Sequence, residues 1–112
     1  MCSAIPTGVQ VCKCRLVTEV LQRFGEIRLR VTGSSMLPAL WPGDVLTIQR
    51  IAVFEVSPQD LVLFARDDRL FVHRVLTLSS SGLLTGGDAL GAPDPLVAGE
   101  ELLGRVISIT RG

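Results

Sequence analysis

Beyond Gly25 the apolar residues of this chain never build a long run. They come in short blocks cut by turn-forming residues, and this limits the fold more than any other feature. Ile27, Leu29 and Val31 alternate with Glu26, Arg28 and Arg30, the period of two that sends one set to each face of a strand. Further blocks follow at Val45–Gln49, Leu61–Ala65, Leu70–Leu76, Leu83–Thr85 and Leu102–Ile109. Between them stand Pro42-Gly43-Asp44, Ser57-Pro58-Gln59-Asp60, Asp67-Asp68, Ser79–Gly82 and Gly91–Pro95. Strands this short are stable only when paired in a sheet over a shared core. The pattern therefore predicts a mainly β domain, a compact barrel or sandwich of short strands.

One segment departs from the period of two. In residues 15–24, Leu16, Val17, Val20, Leu21 and Phe24 fall on one helical face, with Arg15, Glu19 and Arg23 opposite. Gly25 follows where a left-handed residue ends a helix. The expectation is one helix at 15–24, preceded by an irregular segment at 1–14. No internal repeat or linker divides the 112 residues, so a single domain is expected.

Composition removes several function classes. Eleven basic and eleven acidic side chains give a formal net charge of zero. Nucleic-acid binding by a basic footprint is not expected, nor is attraction to an anionic membrane surface. Apolar residues make up 47% of the chain, which is ample core material. A membrane-spanning helix needs about 20 mostly apolar residues. The stretches Val31–Gly43 and Val75–Gly87 are free of charge for only 13 residues each and contain Gly and Ser. Met1–Cys12 lacks a basic start and a long apolar stretch, so no secretory signal is read there. The expectation is a soluble, cytoplasmic protein without an integral membrane span. Cys2, Cys12 and Cys14 cluster near the start and cannot cross-link the body of the domain. Two of them at C-x-C spacing fall short of a four-ligand metal site, and no cofactor or metal is expected.

The chain has one histidine, His73, and one lysine, Lys13. Chemistry that needs either side chain has one candidate for it. His73 lies in Leu70-Phe71-Val72-His73-Arg74-Val75-Leu76, where Phe71, His73 and Val75 share one strand face. A histidine among apolar neighbours is often just a satisfied core residue. Gly33-Ser34-Ser35-Met36-Leu37-Pro38 puts two hydroxyls in a Gly- and Pro-bounded bend after a strand. Such a bend can present a nucleophilic Oγ, with neighbouring N–H groups facing a developing oxyanion, or it can be a plain polar turn. Asp88 and Asp94 supply carboxylates on the loop after the histidine strand. A Ser/His/Asp set is thus available in chain order.

These segments together resemble the signal peptidase I family of serine peptidases and its relatives, the self-cleaving repressor proteases. Ser35-Met36-x-Pro38-x-Leu40 followed by Gly43-Asp44-Val45 is similar to the nucleophile box. Asp60-Leu61-Val62-Leu63-Phe64 is similar to the next strand, and Val72-His73-Arg74-Val75 to the V-H-R-V box. Thr85-Gly86-Gly87-Asp88, with Asp94 beyond it, resembles the T-K-G-D…D box, and Gly104-Arg105-Val106 the closing G-[KR]-V strand. Any one box is weak; five in order over residues 27–107 are specific. The family divides by its general base. His73 stands where the Ser/Lys branch has its lysine, and Lys13 precedes the matched region, so the resemblance is to the Ser/His, endoplasmic-reticulum and archaeal type.

The resemblance implies Ser35 as nucleophile and His73 as general base. Both Asp88 and Asp94 are candidates for the orienting carboxylate, and the family pattern favours Asp94. Ser34 and the Met36 backbone are the candidate oxyanion supports, because Gly33 replaces the serine that some members carry two residues before the nucleophile. The implied activity is cleavage of a peptide or protein precursor after small residues, such as leader removal, in pockets near Met36 and Phe71. The family's barrel and a stand-alone soluble form are implied with it. Gln59, Gly86 and Ala89-Leu90 depart from the family's usual Gly, Lys and Asn-Asn. Two other functions fit the same pattern: a self-processing regulatory domain, and a catalytically silent relative that binds peptides by strand addition.

Overall fold

A computed structural model describes residues 7–111, with side chains described from Cys14 to Arg111. The expectations placed on Cys2, and those on the side chains of Cys12 and Lys13, lie outside the described residues. The elements are helix α1 (Thr7–Phe24) and strands β1 (Glu26–Arg30), β2 (Val45–Arg50), β3 (Leu61–Arg66), β4 (Arg69–Ser79), β5 (Gly82–Gly86) and β6 (Leu102–Thr110). Each strand contains or closely overlaps one of the blocks read from alternation. Two single-turn 3₁₀ helices, Val53–Glu55 and Gly99–Glu101, carry too little sequence pattern to be read in advance.

The helix begins at Thr7, ahead of the expected start at residue 15, so the segment 1–14 is not irregular throughout. The residues before Arg15 lack an apolar stripe, but once a helix is nucleated, each added residue costs little. Its buried face is narrower than the sequence suggests. Val17 and Leu21 are buried and Cys14 is partly so, whereas Leu16 and Phe24 are 61% and 75% exposed. Spacings of three and four make one ridge, and only that ridge rests on the sheet. Gly25 ends the helix at φ +76°, and its N–H donates to Leu21 O at 2.9 Å.

All strand pairs are antiparallel, and the order is β1-β2-β6-β3-β4-β5. β1 and β5 are the two edges. The expected barrel is therefore corrected to an open six-stranded sheet. Closure would require β1 and β5 to pair; the free edge of β5 is instead engaged by the chain after it, where Leu83 and Val97 exchange hydrogen bonds of 2.8 Å.

The strands β3 and β4 are covered on both faces. Leu63, Leu70 and Val72 join Val17, Leu21 and Met36 in one core, while Val62, Phe64 and Val75 join Leu83, Val97 and Leu102 in the other. Full burial of each such side chain is worth about 1.5–3 kcal/mol. The β3–β4 turn is Asp67-Asp68, with φ +52° and +60°. Two successive positive φ values match the right-handed twist of a two-residue hairpin. That turn sets the register Val62↔His73 and Phe64↔Phe71, so His73 faces the second core. No described helix is long and apolar enough to cross a membrane.

Candidate active site

His73 is buried, 3% exposed, in the middle of β4. Phe64 and Phe71 flank its ring, each with centroids 5.9 Å away. A buried imidazole needs partners for both nitrogens. Nδ1 lies 2.6 Å from Asp94 Oδ2, and Nε2 lies 3.1 Å from Ser35 Oγ. A carboxylate can only accept, so Nδ1 carries the proton and Nε2 is left with its lone pair toward the serine hydroxyl. The three residues that sequence reasoning grouped in chain order are therefore one hydrogen-bonded relay.

The structure separates the two aspartates. Asp94 meets the imidazole. Asp88 pairs instead with Arg74, whose Nε and Nη2 reach its two oxygens at 2.9 and 2.7 Å. That hydrogen-bonded guanidinium holds the Asp88 carboxyl below the ordinary carboxylate range, against partial burial. The same pairing raises Arg74. Arg74 Nη1 also donates to Gln59 O at 3.1 Å, which ties the turn before β3 to the histidine strand. Gln59 holds φ +80° there, a conformation that glycine takes at lower cost.

Thr85 entered the sequence reading only as the first residue of the Thr85-Gly86-Gly87-Asp88 box, with no role of its own. It is fully buried on β5 opposite Val75, and its Oγ1 donates to Asp94 Oδ2 at 2.7 Å. The backbone N–H of Asp94 returns a 2.8 Å bond to Thr85 O. One carboxylate oxygen thus accepts from both His73 and Thr85, which fixes its orientation. The available signal was a lone hydroxyl in the otherwise apolar run Leu83-Leu84-Thr85.

The Ser35 bend is held by the loop that follows β5. Ala89 N–H donates to Ser35 O at 2.9 Å, and Asp88 N–H to Met36 Sδ at 3.2 Å. Gly87 approaches so closely that an added Cβ would stand 2.6 Å from Ser35 O. The Met36 side chain is fully buried in the first core, so it does not itself line a pocket. An unbranched apolar chain in that bend is drawn inward because it fills the core. Phe71 does line a cleft of about 90 Å³, together with Phe64, Arg66, Asp94 and Pro95. A larger open cleft of about 350 Å³ runs along Leu76, Gly87, Asp88 and Leu90. Ser34 is exposed, and its carbonyl accepts from Leu37 N–H at 3.2 Å. Among the described residues, the N–H groups of Ser35 and Met36 make no hydrogen bond.

No protein-family model matches the chain, and no curated protein is found to match its sequence. The site therefore stands on its own geometry. Among the described residues, no group of three or more His, Cys, Asp or Glu side chains gathers as a metal site. The residues that do converge make a proton relay ending at a hydroxyl. Such a relay can raise the nucleophilicity of Ser35 and return a proton to a leaving group.

Proposed function

We propose that the chain is a serine endopeptidase of the Ser/His type, with Ser35 as nucleophile, His73 as general base and Asp94 as the group that orients it. The observation that carries this reading is one buried imidazole with a serine hydroxyl at one nitrogen and a carboxylate at the other. A structural core histidine needs partners for its nitrogens, but it does not need a hydroxyl in a bend whose neighbouring N–H groups are unused.

The steps follow from ordinary acyl transfer. Ser35 Oγ attacks a peptide carbonyl carbon as its proton passes to His73 Nε2. The resulting imidazolium is stabilised by Asp94 through Nδ1–H. The oxyanion takes donors from the Ser35 and Met36 N–H groups, and one such donor is typically worth about 10²–10³ in rate. His73 then gives the Nε2 proton to the leaving amine as the C–N bond breaks. Water, deprotonated by the same nitrogen, attacks the acyl ester, and the proton returns to Ser35 Oγ as the carboxyl product leaves.

Cleavage after small residues is the preference we assign. It is what the resemblance implies, and the smallness of the cleft beside Asp94 and Phe71, about 90 Å³, accords with it. The biological reading is removal of a leader from a peptide or protein precursor by a soluble, cytoplasmic enzyme. In this reading the open sheet is an abridged form of the barrel of the signal peptidase and repressor protease group.

The test is incubation of the purified protein with a mixed peptide pool, with cleavage sites read by mass spectrometry, beside Ser35→Ala and His73→Ala. Products ending in small residues, lost in both variants, are the expected result. Equal products from wild type and Ser35→Ala would sink the peptidase reading. No products from any of the three would favour the silent peptide-binding relative.

A further inference from the structure

Asp94 lies outside the strands and is tied to β5 through Thr85 alone, by its N–H and its carboxylate, while the residues on either side of it add little. Gly91, Ala92 and Pro93 before it are exposed and make no hydrogen bond in the described structure. Pro95 after it has no N–H and cannot be held as a donor. Yet the carboxylate must stay within a fraction of an ångström of His73 Nδ1 for the relay to work.

The stretch is gripped by its carbonyls instead. Arg66, the last residue of β3, donates from Nη1 to Pro95 O at 2.9 Å and from Nη2 to Leu96 O at 2.6 Å. Its Nε and Nη2 also reach the two oxygens of Glu101 at 3.2 and 2.9 Å. Glu101 Oε1 in turn accepts from Ala98 N–H at 2.8 Å. The pair thus binds the chain at residues 95, 96 and 98, just past Asp94. Both side chains are mostly covered, 19% and 26% exposed, so water competes only partly with these bonds. The guanidinium also lies over the Phe64 ring, 5.6 Å from its centroid, and that ring packs edge-on against His73.

The geometry points to Arg66, braced by Glu101, as a second positioning residue for Asp94, holding the chain past it where Thr85 holds the carboxylate itself; this rests on reading Ser35, His73 and Asp94 as the catalytic relay. Only a planar fork can take two successive carbonyls and both oxygens of a carboxylate at once. Lysine offers one compact point charge and cannot span them. Glu101 itself lies outside the residues that line the cleft, so replacing it removes no side chain that faces the cleft.

The test uses Arg66→Lys, Glu101→Gln and the double variant, each assayed well below its melting temperature. We expect kcat to fall about 10–100-fold in Glu101→Gln with KM essentially unchanged, as for a small misplacement of a reacting group. The double variant should be no slower than Arg66→Lys, because the two side chains act as one unit. A second reading needs no turnover. His73 is the single histidine, so the far-downfield proton resonance of its Nδ1–H···Asp94 bond needs no assignment among histidines. That resonance should weaken or vanish in both single variants, which a merely stabilising ion pair would not cause in folded protein. Its persistence in both, whether or not cleavage is seen, overturns the positioning role. Absence of Ser35-dependent cleavage in the wild type overturns the catalytic reading beneath it instead.

Discussion

Gly87→Ala should damage the nucleophile bend without altering any side chain of the relay. The added methyl would stand 2.6 Å from Ser35 O, 0.8 Å less than the 3.4 Å at which ordinary contact begins. It would also lie 3.0 and 3.1 Å from Leu90 Cδ1 and Cγ. Leu90 is 50% exposed and can swing away, so that contact relieves itself. Ser35 O is backbone and cannot. It also accepts from Ala89 N–H, so pushing it strains a hydrogen bond worth about 1 kcal/mol. Overpacking of this kind costs about 1–3 kcal/mol. For a domain of this size that is a fall in Tm of about 4–12 °C. The bend carries Ser35 Oγ with it, and a shift approaching 1 Å at a reacting group costs about 10²-fold in rate. The assays are thermal unfolding and kcat on a peptide found in the cleavage screen. Gly91→Ala is the control, because a Cβ there meets nothing within 4 Å. If Gly87→Ala matched Gly91→Ala in both Tm and kcat, the loop after β5 would not hold the nucleophile, and the account of the bend would be wrong.

Asp94→Asn should lower kcat by about 10⁴, because an amide that donates to Nδ1 reverses the imidazole tautomer; single-turnover cleavage measures it. Asp88→Asn should act mainly on Tm, with a smaller loss in kcat, since it breaks the pair with Arg74 and not the relay. Gln59→Gly should raise stability by up to about 1 kcal/mol in urea unfolding, because relief of positive-φ strain outweighs the added freedom of the unfolded chain. Asp88 and Glu101 are held below their ordinary values of 3.8 and 4.5 by hydrogen bonds from Arg74 and Arg66, so the stability they add is fully present above those values and drains away as pH falls through the lowered ones. Urea midpoints should therefore decline below about pH 4.5, and less steeply in a variant carrying both Asp88→Asn and Glu101→Gln.

The strands were legible because alternation and turn chemistry agree at nearly every boundary. Asp67-Asp68 both announces the β3–β4 hairpin and adopts the positive φ pair it needs. The start of the helix was not legible, because the residues before Arg15 carry no apolar stripe for periodicity to detect. Nor was the openness of the sheet. Short alternating strands fit a barrel as well as an open sheet, and the choice is made by what lies against β5, here the chain at Val97. The direction of the Met36 side chain was not legible either; it turns into the core. Ser35, His73 and Asp94 were legible as residue types in order. Their convergence was not, since it depends on the β3–β4 register and on the chain's return along β5.

The division of labour between the two aspartates has a physical cause that spacing could not reveal. A carboxylate can orient an imidazole only if its lone pairs are not already committed to a stronger partner. Arg74 stands next to His73 in sequence, so on the strand it points to the opposite face. It takes both oxygens of Asp88 there, and a bidentate guanidinium is a stronger partner than a neutral imidazole. Asp94 is left on the histidine's face, where the nearest donors are the neutral Thr85 hydroxyl and Nδ1–H. The arginine beside it, Arg66, spends its fork on two carbonyls and Glu101 rather than on Asp94. The hydrogen bonds of Arg74 and Arg66 are thus spent elsewhere, and Asp94, with no hydrogen bond from a guanidinium, is the carboxylate bonded to the histidine. Asp94 therefore gains its strongest interaction when His73 becomes charged, which in the proposed reaction is the moment at which the Ser35 proton has been taken.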